Sequence, residues 1–210
     1  VRLISAEDYR QRTLVMARAA DDLAARGQRA YVIPEGGSNA LGSLGYVDAM
    51  REVREQLDLG LGGGPRAFDS VVFACGSGGT AAGVVLGAAE WDVAPQAHAM
   101  AVCDDAPYFE RVVGRIAIQA QGLAPELDRT AKLCVVDRFK GPGYGVASDE
   151  QRRFIVEVAR RTGLLLDPVY TGKAMFALAR LESKPKRVLF VHTGGLPGLL
   201  AQADAFAGEF

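Results

Sequence analysis

The stretch "SVVFACGSGGTAAGVVLGAA", residues 70–89, decides the fold. Its first six residues form a continuous apolar run, which is typical of a strand buried on both faces of a sheet. A glycine-rich turn follows, and from Thr80 onwards the residues are small and apolar, as in a buried helix. The stretch therefore predicts a strand, a tight turn and a helix, the opening part of a βαβ unit.

The same alternation of strand and helix continues along the chain and predicts an α/β fold, a three-layer parallel sheet with helices on both faces. The helix at 149–162 has the most complete local signals, because Ser148 or Asp149 can cap it, arginines occupy its last turn and Gly163 ends it. A glycine-rich surface connection is expected at 58–69. Other strand-like runs lie at 30–33, 97–103, 132–136 and 187–192, and other segments with helical spacing lie at 6–26, 39–58, 80–89, 106–121, 171–182 and 196–203.

Composition excludes several classes of partner. The chain has 210 residues, with 24 basic and 25 acidic side chains scattered in mixed sign, so no surface suited to nucleic acid is expected. The basic cluster "KPKR" at 184–187 is short and is interpreted as a solvated turn before a strand. No apolar run approaches the ~20 residues that a membrane span requires. We expect a small-molecule ligand, with neither nucleic acid nor membrane as partner.

The cysteines and histidines indicate an intracellular protein without a metal site. Cys75, Cys103 and Cys134 are far apart, and each lies at or inside an apolar run, which favours reduced thiols in the core. There are only two histidines, and neither has a close Cys/His spacing that would support zinc.

The turn after Cys75 has the features of an anion site. A strand that ends before glycines and a helix start brings free backbone N–H groups and the positive end of the helix to one point. Ser77 and Thr80 add hydroxyl donors, and the glycines let the backbone approach a ligand closely. A phosphate group is the expected ligand.

From the residues alone, a phosphate site is one of three interpretations of this turn that remain open. Residues 76–81, "GSGGTA", also satisfy G-x-G-x-x-G/A, and Asp104 and Asp105 follow the next strand, as in an enzyme that binds a nicotinamide dinucleotide. A nucleotide P-loop is excluded, because no lysine follows the last glycine. The turn could also simply close a βα unit.

Four more polar stretches follow strand-like runs or begin helices, and the carboxyl ends of parallel strands are where α/β sheets bind ligands. Taken singly, each is interpreted first as a purely structural feature: a plain turn, a packed aromatic ring or a core histidine. They are "PEGGSNALGSLGY" at 34–46 with Ser38 and Asn39, "GPGYGV" at 141–146 with Tyr144, "DPVYTGKAM" at 167–175 with Tyr170 and Thr171, and "HTGGLPG" at 192–198 with His192, Thr193 and Gly194.

Read together, these words resemble a family of pyridoxal-phosphate enzymes: the D-cysteine desulfhydrase and 1-aminocyclopropane-1-carboxylate deaminase group, which has a tryptophan-synthase-β-like fold. The matching words are "YVIPEGGSNALGSLGY", "ACGSGGTAAG", "VCDD", "GYGV", "LLDPVYTGKAM" and "LFVHTGGLPGL", in family order over nearly the whole chain. The opening "SAEDY" and "CDDAPYF" look most similar to the plant and algal desulfhydrases.

The resemblance implies pyridoxal 5'-phosphate as cofactor and α,β-elimination on a small amino acid, with D-cysteine giving pyruvate, ammonia and sulfide. It implies residues 1–34 as the end of a smaller domain, residues 35–210 as most of a larger cofactor-binding domain, and a homodimer for the full-length protein. Deaminases carry a glutamate where this chain has Thr171, which favours the desulfhydrase branch. The implied site residues are Gly76, Ser77, Gly78, Gly79 and Thr80 for the cofactor phosphate, Thr193 with Gly194 and Thr171 near the pyridine ring, and Tyr144, Tyr170, Ser38 and Asn39 on the substrate side.

The chain departs from the family pattern in one respect. None of its five lysines matches the motif of the family's cofactor-linked lysine, and the nearest to a site motif, Lys173, is interpreted as structural or as a surface charge. We therefore expect a C-terminal fragment that neither binds the cofactor covalently nor fully buries its sheet edge. A non-catalytic phosphate-binding protein or degenerate paralogue is the competing class.

Overall fold

The computed structural model of the protein describes residues 1 and 3–207. Two compact units divide the chain, Val1–Gly37 and Ser38–Phe210. Whether they correspond to the two expected domains stays a prediction.

The first unit is helical. Ser5 caps its first helix by accepting a hydrogen bond from the Asp8 N–H, and the Asp8 side chain accepts one from the Ser5 N–H in return. Where one helix was expected over 6–26, the structure has two, α1 (Ala6–Arg10) and α2 (Arg12–Ala24). The strand expected at 30–33 is wrong: the segment is irregular and Tyr31 is 74% exposed. An apolar run becomes a strand only when another strand pairs with it, and no described strand does so here.

The second unit contains a four-stranded parallel sheet in the order β3-β2-β1-β4, and the predicted α/β fold is confirmed. In chain order, the unit's elements are α3 (Ala40–Asp58), β1 (Ser70–Cys75), α4 (Gly79–Glu90), β2 (Gln96–Ala101), α5 (Ala106–Leu123), β3 (Lys132–Val136), α6 (Asp149–Thr162), α7 (Thr171–Ala179), β4 (Val188–Phe190) and α8 (Leu196–Leu200).

Helices cover both faces of the sheet. Alternate residues of β1 explain this arrangement, because Phe73 packs into the core formed with α3, α4 and α5, while Val72 packs on the opposite face against α7. The strand β1 is buried along its whole length, as its continuous apolar run predicts. All four strands point the same way, so the loops that follow them lie along one edge of the sheet.

Local signals fixed several boundaries. Helix α6 begins and ends as expected, with Ser148 as its cap in a reciprocal pair with Gln151, and with Gly163 in the left-handed conformation at φ 76°. The segments expected to be helical at 171–182 and 196–203 end earlier, at Ala179 and Leu200. The connection at 58–69 contains a short 3-10 turn between its glycines.

No helix among residues 1 and 3–207 is both long enough and apolar enough to cross a membrane.

Candidate active site

The loop between β1 and α4 has the geometry of an anion site. Gly78 takes φ +91° and ends the loop, so α4 begins at Gly79 with its N-terminus at the carboxyl edge of the sheet. Ser77 and Thr80 are partly exposed, and their backbone N–H groups have no acceptor among the residues that the structure describes. Donors at the positive end of a helix favour a bound anion.

Ser38 connects to this loop through two hydrogen bonds. Its Oγ accepts the N–H of Gly79 at 3.2 Å and donates to the Oγ of Ser77 at 2.7 Å. Because Ser77 accepts in this pair, its own hydroxyl proton is left to point at a ligand. Ser38 therefore orients Ser77.

Close packing requires glycine in this loop. A Cβ added at Gly79 would lie 2.7 Å from the Oγ of Ser38, and one added at Gly78 would lie 2.9 Å from Cγ1 of Val112. At Gly76, a Cβ would lie 3.2 Å from Cε1 of Tyr170. The close packing around this loop, its backbone N–H donors and its hydroxyl groups together fit a phosphate group.

Two tyrosines lie beside the loop. The hydroxyls of Tyr144 and Tyr170 share a hydrogen bond, and their rings meet edge to face with centroids 5.9 Å apart. Burial, with the Tyr144 hydroxyl as a second cause, raises the pKa of Tyr170 well above its ordinary value. Tyr170 therefore keeps its proton at neutral pH and is a hydrogen-bond donor there.

A buried carboxylate fixes the position of Tyr170. Asp167 is 1% exposed and accepts the backbone N–H groups of Val169 at 2.8 Å, Tyr170 at 2.8 Å and Thr171 at 2.7 Å. Its Oδ1 also accepts the Thr171 hydroxyl at 2.7 Å, and that hydroxyl in turn accepts the Asp167 N–H at 3.0 Å. The Thr171 side chain is thus bound to the turn itself, and its expected role near a cofactor ring stays a prediction.

The loop after β4 carries Thr193, whose exposed hydroxyl has no partner in the described part of the chain. Gly194 adopts φ +93°, and its N–H donates to Nδ1 of His192 at 3.1 Å. Gly195 lies so close to Asp167 that an added Cβ would be 2.4 Å from the carboxyl carbon. The same aspartate therefore supports the Tyr170 turn and packs against the Thr193 loop.

The expected site residues fall into two groups. Ser38 bonds to the loop at 76–80, Tyr170 packs on Gly76 of that loop and bonds to Tyr144, and Thr193 lies at the same edge of the sheet in the loop after the neighbouring strand β4. The side chain of Asn39 instead caps α3, where its Oδ1 accepts the Gly42 N–H at 2.7 Å.

Two residues at the site were not assigned from sequence. Asp167 precedes a proline and lies four residues before Thr171, a spacing from which a turn-capping role could have been read. Lys173 is 1% exposed, so its interpretation as a surface charge is wrong. Its neighbours in "TGKAMFALA" are small or apolar, and that composition was the available signal for burial.

The lysine and cysteine side chains near the site have altered acidity. Burial lowers the pKa of Lys173 to about 8 and raises the pKa of Cys103 to about 11. All three cysteines are free, as expected.

Asp105, which a dinucleotide site would use for ribose, caps α5 by accepting the Tyr108 N–H at 3.0 Å.

Known proteins are similar to this chain in sequence. A protein of Arabidopsis thaliana named bifunctional D-cysteine desulfhydrase/1-aminocyclopropane-1-carboxylate deaminase, mitochondrial, is 40% identical over 99% of this chain and 52% of its own length. A Thermotoga maritima protein provisionally named 1-aminocyclopropane-1-carboxylate deaminase is 40% identical over 85% of this chain and 55% of its own length. The chain thus spans about half the length of these curated relatives.

A solved structure has a similar fold. The crystal structure of an ACC deaminase homologue superposes with a TM-score of 0.81 at 31% identity, covering 100% of this chain and 62% of that one. The family described as pyridoxal-phosphate dependent enzyme matches residues 1–194, which include both the loop at 76–80 and the two tyrosines, Tyr144 and Tyr170. The resemblance read from the sequence and the expected cofactor are therefore confirmed, and the chain belongs to the family of pyridoxal-phosphate dependent enzymes.

Proposed function

We propose that this chain supplies the phosphate site and the substrate-side tyrosines of a lyase that converts D-cysteine and water into pyruvate, ammonia and sulfide. The observation that carries the proposal is the contact between the anion loop and the tyrosine pair, in which the Tyr170 ring packs on Gly76. A phosphate held in the loop would bring the rest of a bound molecule close to two phenol hydroxyls.

The residues present fit the phosphate end of pyridoxal phosphate. Ser77 and Thr80 would hold it with hydroxyl and backbone donors, while Ser38 keeps the Ser77 hydroxyl turned towards it. Thr193 has the free hydroxyl that would meet the pyridine nitrogen, and a neutral hydroxyl stabilises a protonated ring less than a carboxylate does. When bound, the cofactor supplies the electron sink for loss of the substrate α-proton.

The tyrosines would act on the substrate as proton-bearing groups. Since its pKa is raised, Tyr170 holds a proton on Oη at neutral pH and donates a hydrogen bond to the departing sulfur or to the substrate carboxylate. Its hydrogen bond to Tyr144 limits where that proton points. Asp167 keeps the backbone of Tyr170 in place through the reaction.

The side chain at position 171 supports D-cysteine over aminocyclopropane carboxylate. Thr171 offers no carboxylate to the site, and its hydroxyl is bound to Asp167. Deamination of 1-aminocyclopropane-1-carboxylate is the second candidate, because that activity appears in the names of both relatives.

Two further parts of the proposal concern setting and assembly. Three free thiols support an intracellular location, in the cytoplasm or in an organelle such as the mitochondrion. A homodimer of the full-length protein is the proposed assembly.

Cofactor binding is the first test. The purified chain is titrated with pyridoxal phosphate, with pyridoxal lacking the phosphate, and with NAD, following cofactor absorbance or intrinsic fluorescence. We expect saturable binding of pyridoxal phosphate only. Binding of NAD in its place would contradict the proposal.

Turnover and the covalent link are tested next. The chain is joined to the part of the A. thaliana relative that it does not match, loaded with cofactor, and assayed for sulfide from D-cysteine and L-cysteine and for ammonia from aminocyclopropane carboxylate. Sulfide from D-cysteine is expected, and ammonia from aminocyclopropane carboxylate alone would favour the second candidate. Borohydride reduction of the unfused, cofactor-loaded chain, with peptide mapping, reports whether any of its own lysines reacts at one site.

A further inference from the structure

The buried amino group of Lys173 connects two loops of the site. Its Nζ donates to the carbonyl oxygen of Gly143 at 2.6 Å and to that of Val102 at 3.2 Å. Val102 follows β2, and Gly143 lies in the loop between β3 and α6. One side chain on α7 therefore links the end of β2 to the loop that follows the neighbouring strand β3.

Packing alone does not account for a lysine at this position. A buried ammonium group loses its hydration, and within the described chain Lys173 forms no ion pair that would compensate. Of the ionisable groups around it, Cys103 and Asp167 favour the charged form, but burial outweighs both and lowers the pKa of Lys173. A methionine of similar length would fill the same space without this cost.

The loop that receives this hydrogen bond carries Tyr144. Gly143 directly precedes Tyr144, whose side chain is 58% exposed and therefore has few contacts to hold it. Its ring and hydroxyl both meet Tyr170. On the other side of Tyr144, the Gly145 carbonyl accepts from Nε2 of Gln202 at 3.1 Å. The Gly143 carbonyl, which also accepts the Val146 N–H at 3.3 Å within the segment, is thus one of the points at which this short segment is anchored to the rest of the chain.

We propose that Lys173 is a positioning residue, which holds Tyr144 against Tyr170 by fixing the Gly143 carbonyl to the end of β2. The proposal rests on the proposed function for its effect on catalysis, because Tyr144 acts there on the substrate side. Its structural part, the anchoring of the loop at 141–146, stands independently of any cofactor or substrate.

Hydrogen exchange of the ligand-free chain tests the anchoring. Lys173→Met is compared with wild type and with Lys140→Met, a matched control whose Nζ also donates to a backbone carbonyl, that of Asp104 at 3.3 Å, but at an exposed site. We expect peptides covering 141–146 to exchange about tenfold faster in Lys173→Met and within about twofold of wild type in Lys140→Met. Equal exchange in all three proteins would overturn the proposal, as would equal acceleration by both substitutions.

A second variant covers the possibility that methionine disturbs the fold. Lys173→Gln keeps an uncharged N–H donor in the buried space, and we expect it to restore at least part of the protection at 141–146. If Lys173→Gln and Lys173→Met both accelerate exchange throughout α7 and not in the loop, the lysine is structural and the proposal is wrong.

Turnover of the cofactor-loaded fusion protein tests the catalytic part. If Lys173 acts through Tyr144, Lys173→Met alone lowers kcat for D-cysteine. In a protein that already carries Tyr144→Phe, the same substitution changes kcat by less than about twofold. Independent, multiplicative losses would contradict the proposal. If D-cysteine is not a substrate at all, the exchange result still decides the anchoring, so the two failures are distinguishable.

Discussion

Ser38 illustrates how a residue without a free donor of its own can control an anion site. Both polar functions of its hydroxyl are engaged, one with the Gly79 N–H and one with Ser77. Replacement by alanine removes an acceptor from the helix N-terminus and frees the Ser77 hydroxyl to rotate. The hydrogen bond that orients Ser77 is worth about 1 kcal/mol, so its loss in Ser38→Ala should raise the Kd for pyridoxal phosphate about fivefold in a fluorescence titration.

A double-mutant cycle separates this effect from general destabilisation. Because Ser38 works through Ser77, the double variant Ser38→Ala/Ser77→Ala should raise the Kd by much less than the product of the two single-variant factors. Ser183→Ala, at an exposed position away from the loop, serves as the control and should leave the Kd unchanged. Additive losses would mean that Ser38 contacts the ligand directly.

The pKa of Lys173 has a consequence for stability. Its folded-state pKa of about 8 lies below the ordinary 10.5, so between these values the unfolded chain binds more protons than the folded one. The free energy of unfolding therefore gains from this group as pH rises through that window, and the gain is lost as pH falls through about 8. Tyr170 and Cys103, whose folded pKa values are raised, act in the opposite direction at higher pH.

Comparison with a variant isolates the contribution of Lys173 to the pH dependence of stability. Urea denaturation of wild type and Lys173→Met at pH 7, 8, 9 and 10 should show the difference in unfolding free energy moving in favour of wild type as pH rises. The total change should be on the order of a few kcal/mol, following the linkage of protonation to folding. A difference that does not vary with pH would mean that folding does not lower the pKa of Lys173.

At the scale of elements, two glycines set the distance between α3 and α4. A Cβ added at Gly83 would lie 2.1 Å from the carbonyl oxygen of Ser43, and one at Gly87 would lie 2.8 Å from Cα of Val47. Backbone atoms occupy both places, so a methyl group there must push the helices apart. Gly83→Ala should lower the free energy of unfolding by about 2 kcal/mol or more, as overpacking does.

Gly114 provides a matched control in another helix. It lies inside α5, and a Cβ added there would meet no heavy atom of the described chain within 4 Å. Gly114→Ala should therefore stabilise the chain by up to about 1 kcal/mol, because alanine favours the helix. Urea denaturation measures both variants, and a stabilising Gly83→Ala would show that α3 and α4 are not closely packed.

The elements also show which local features a sequence can reveal. Helix α6 was predicted with its boundaries because the signals, Ser148 or Asp149 at its start and Gly163 at its end, lie within or next to the helix itself. The expected strand at 30–33 was wrong because an apolar run specifies burial but not a partner. Strand formation depends on distant residues, and periodicity does not contain that information.

For the whole molecule, the sequence revealed the site as a set of motifs but not the links between them. The glycine-rich turn at 76–80 could be predicted because its glycines and hydroxyls are contiguous, and its role as a phosphate site stays a prediction. The roles of Asp167 and Lys173 could not, since each depends on loops far away in the chain, such as Gly195 and Gly143. Their burial is a tertiary property that follows from the strand order.

Cofactor binding should finally be visible in the stability of the whole chain. A ligand that binds only the folded state raises the free energy of unfolding by RT ln(1 + [L]/Kd), about 2.7 kcal/mol at a concentration of 100 Kd. Because the donors of the loop at 76–80 fit a phosphate and the family is pyridoxal-phosphate dependent, pyridoxal phosphate should raise Tm by several degrees, while pyridoxal and NAD should not. Ser77→Ala should reduce this rise in Tm, because it removes a hydroxyl donor from the loop at 76–80. A Tm that rises equally with pyridoxal would mean that the affinity comes from the ring. A Tm that rises with NAD alone would contradict pyridoxal phosphate as the ligand of the loop formed by Ser38, Ser77 and Gly79, since NAD also carries phosphate groups.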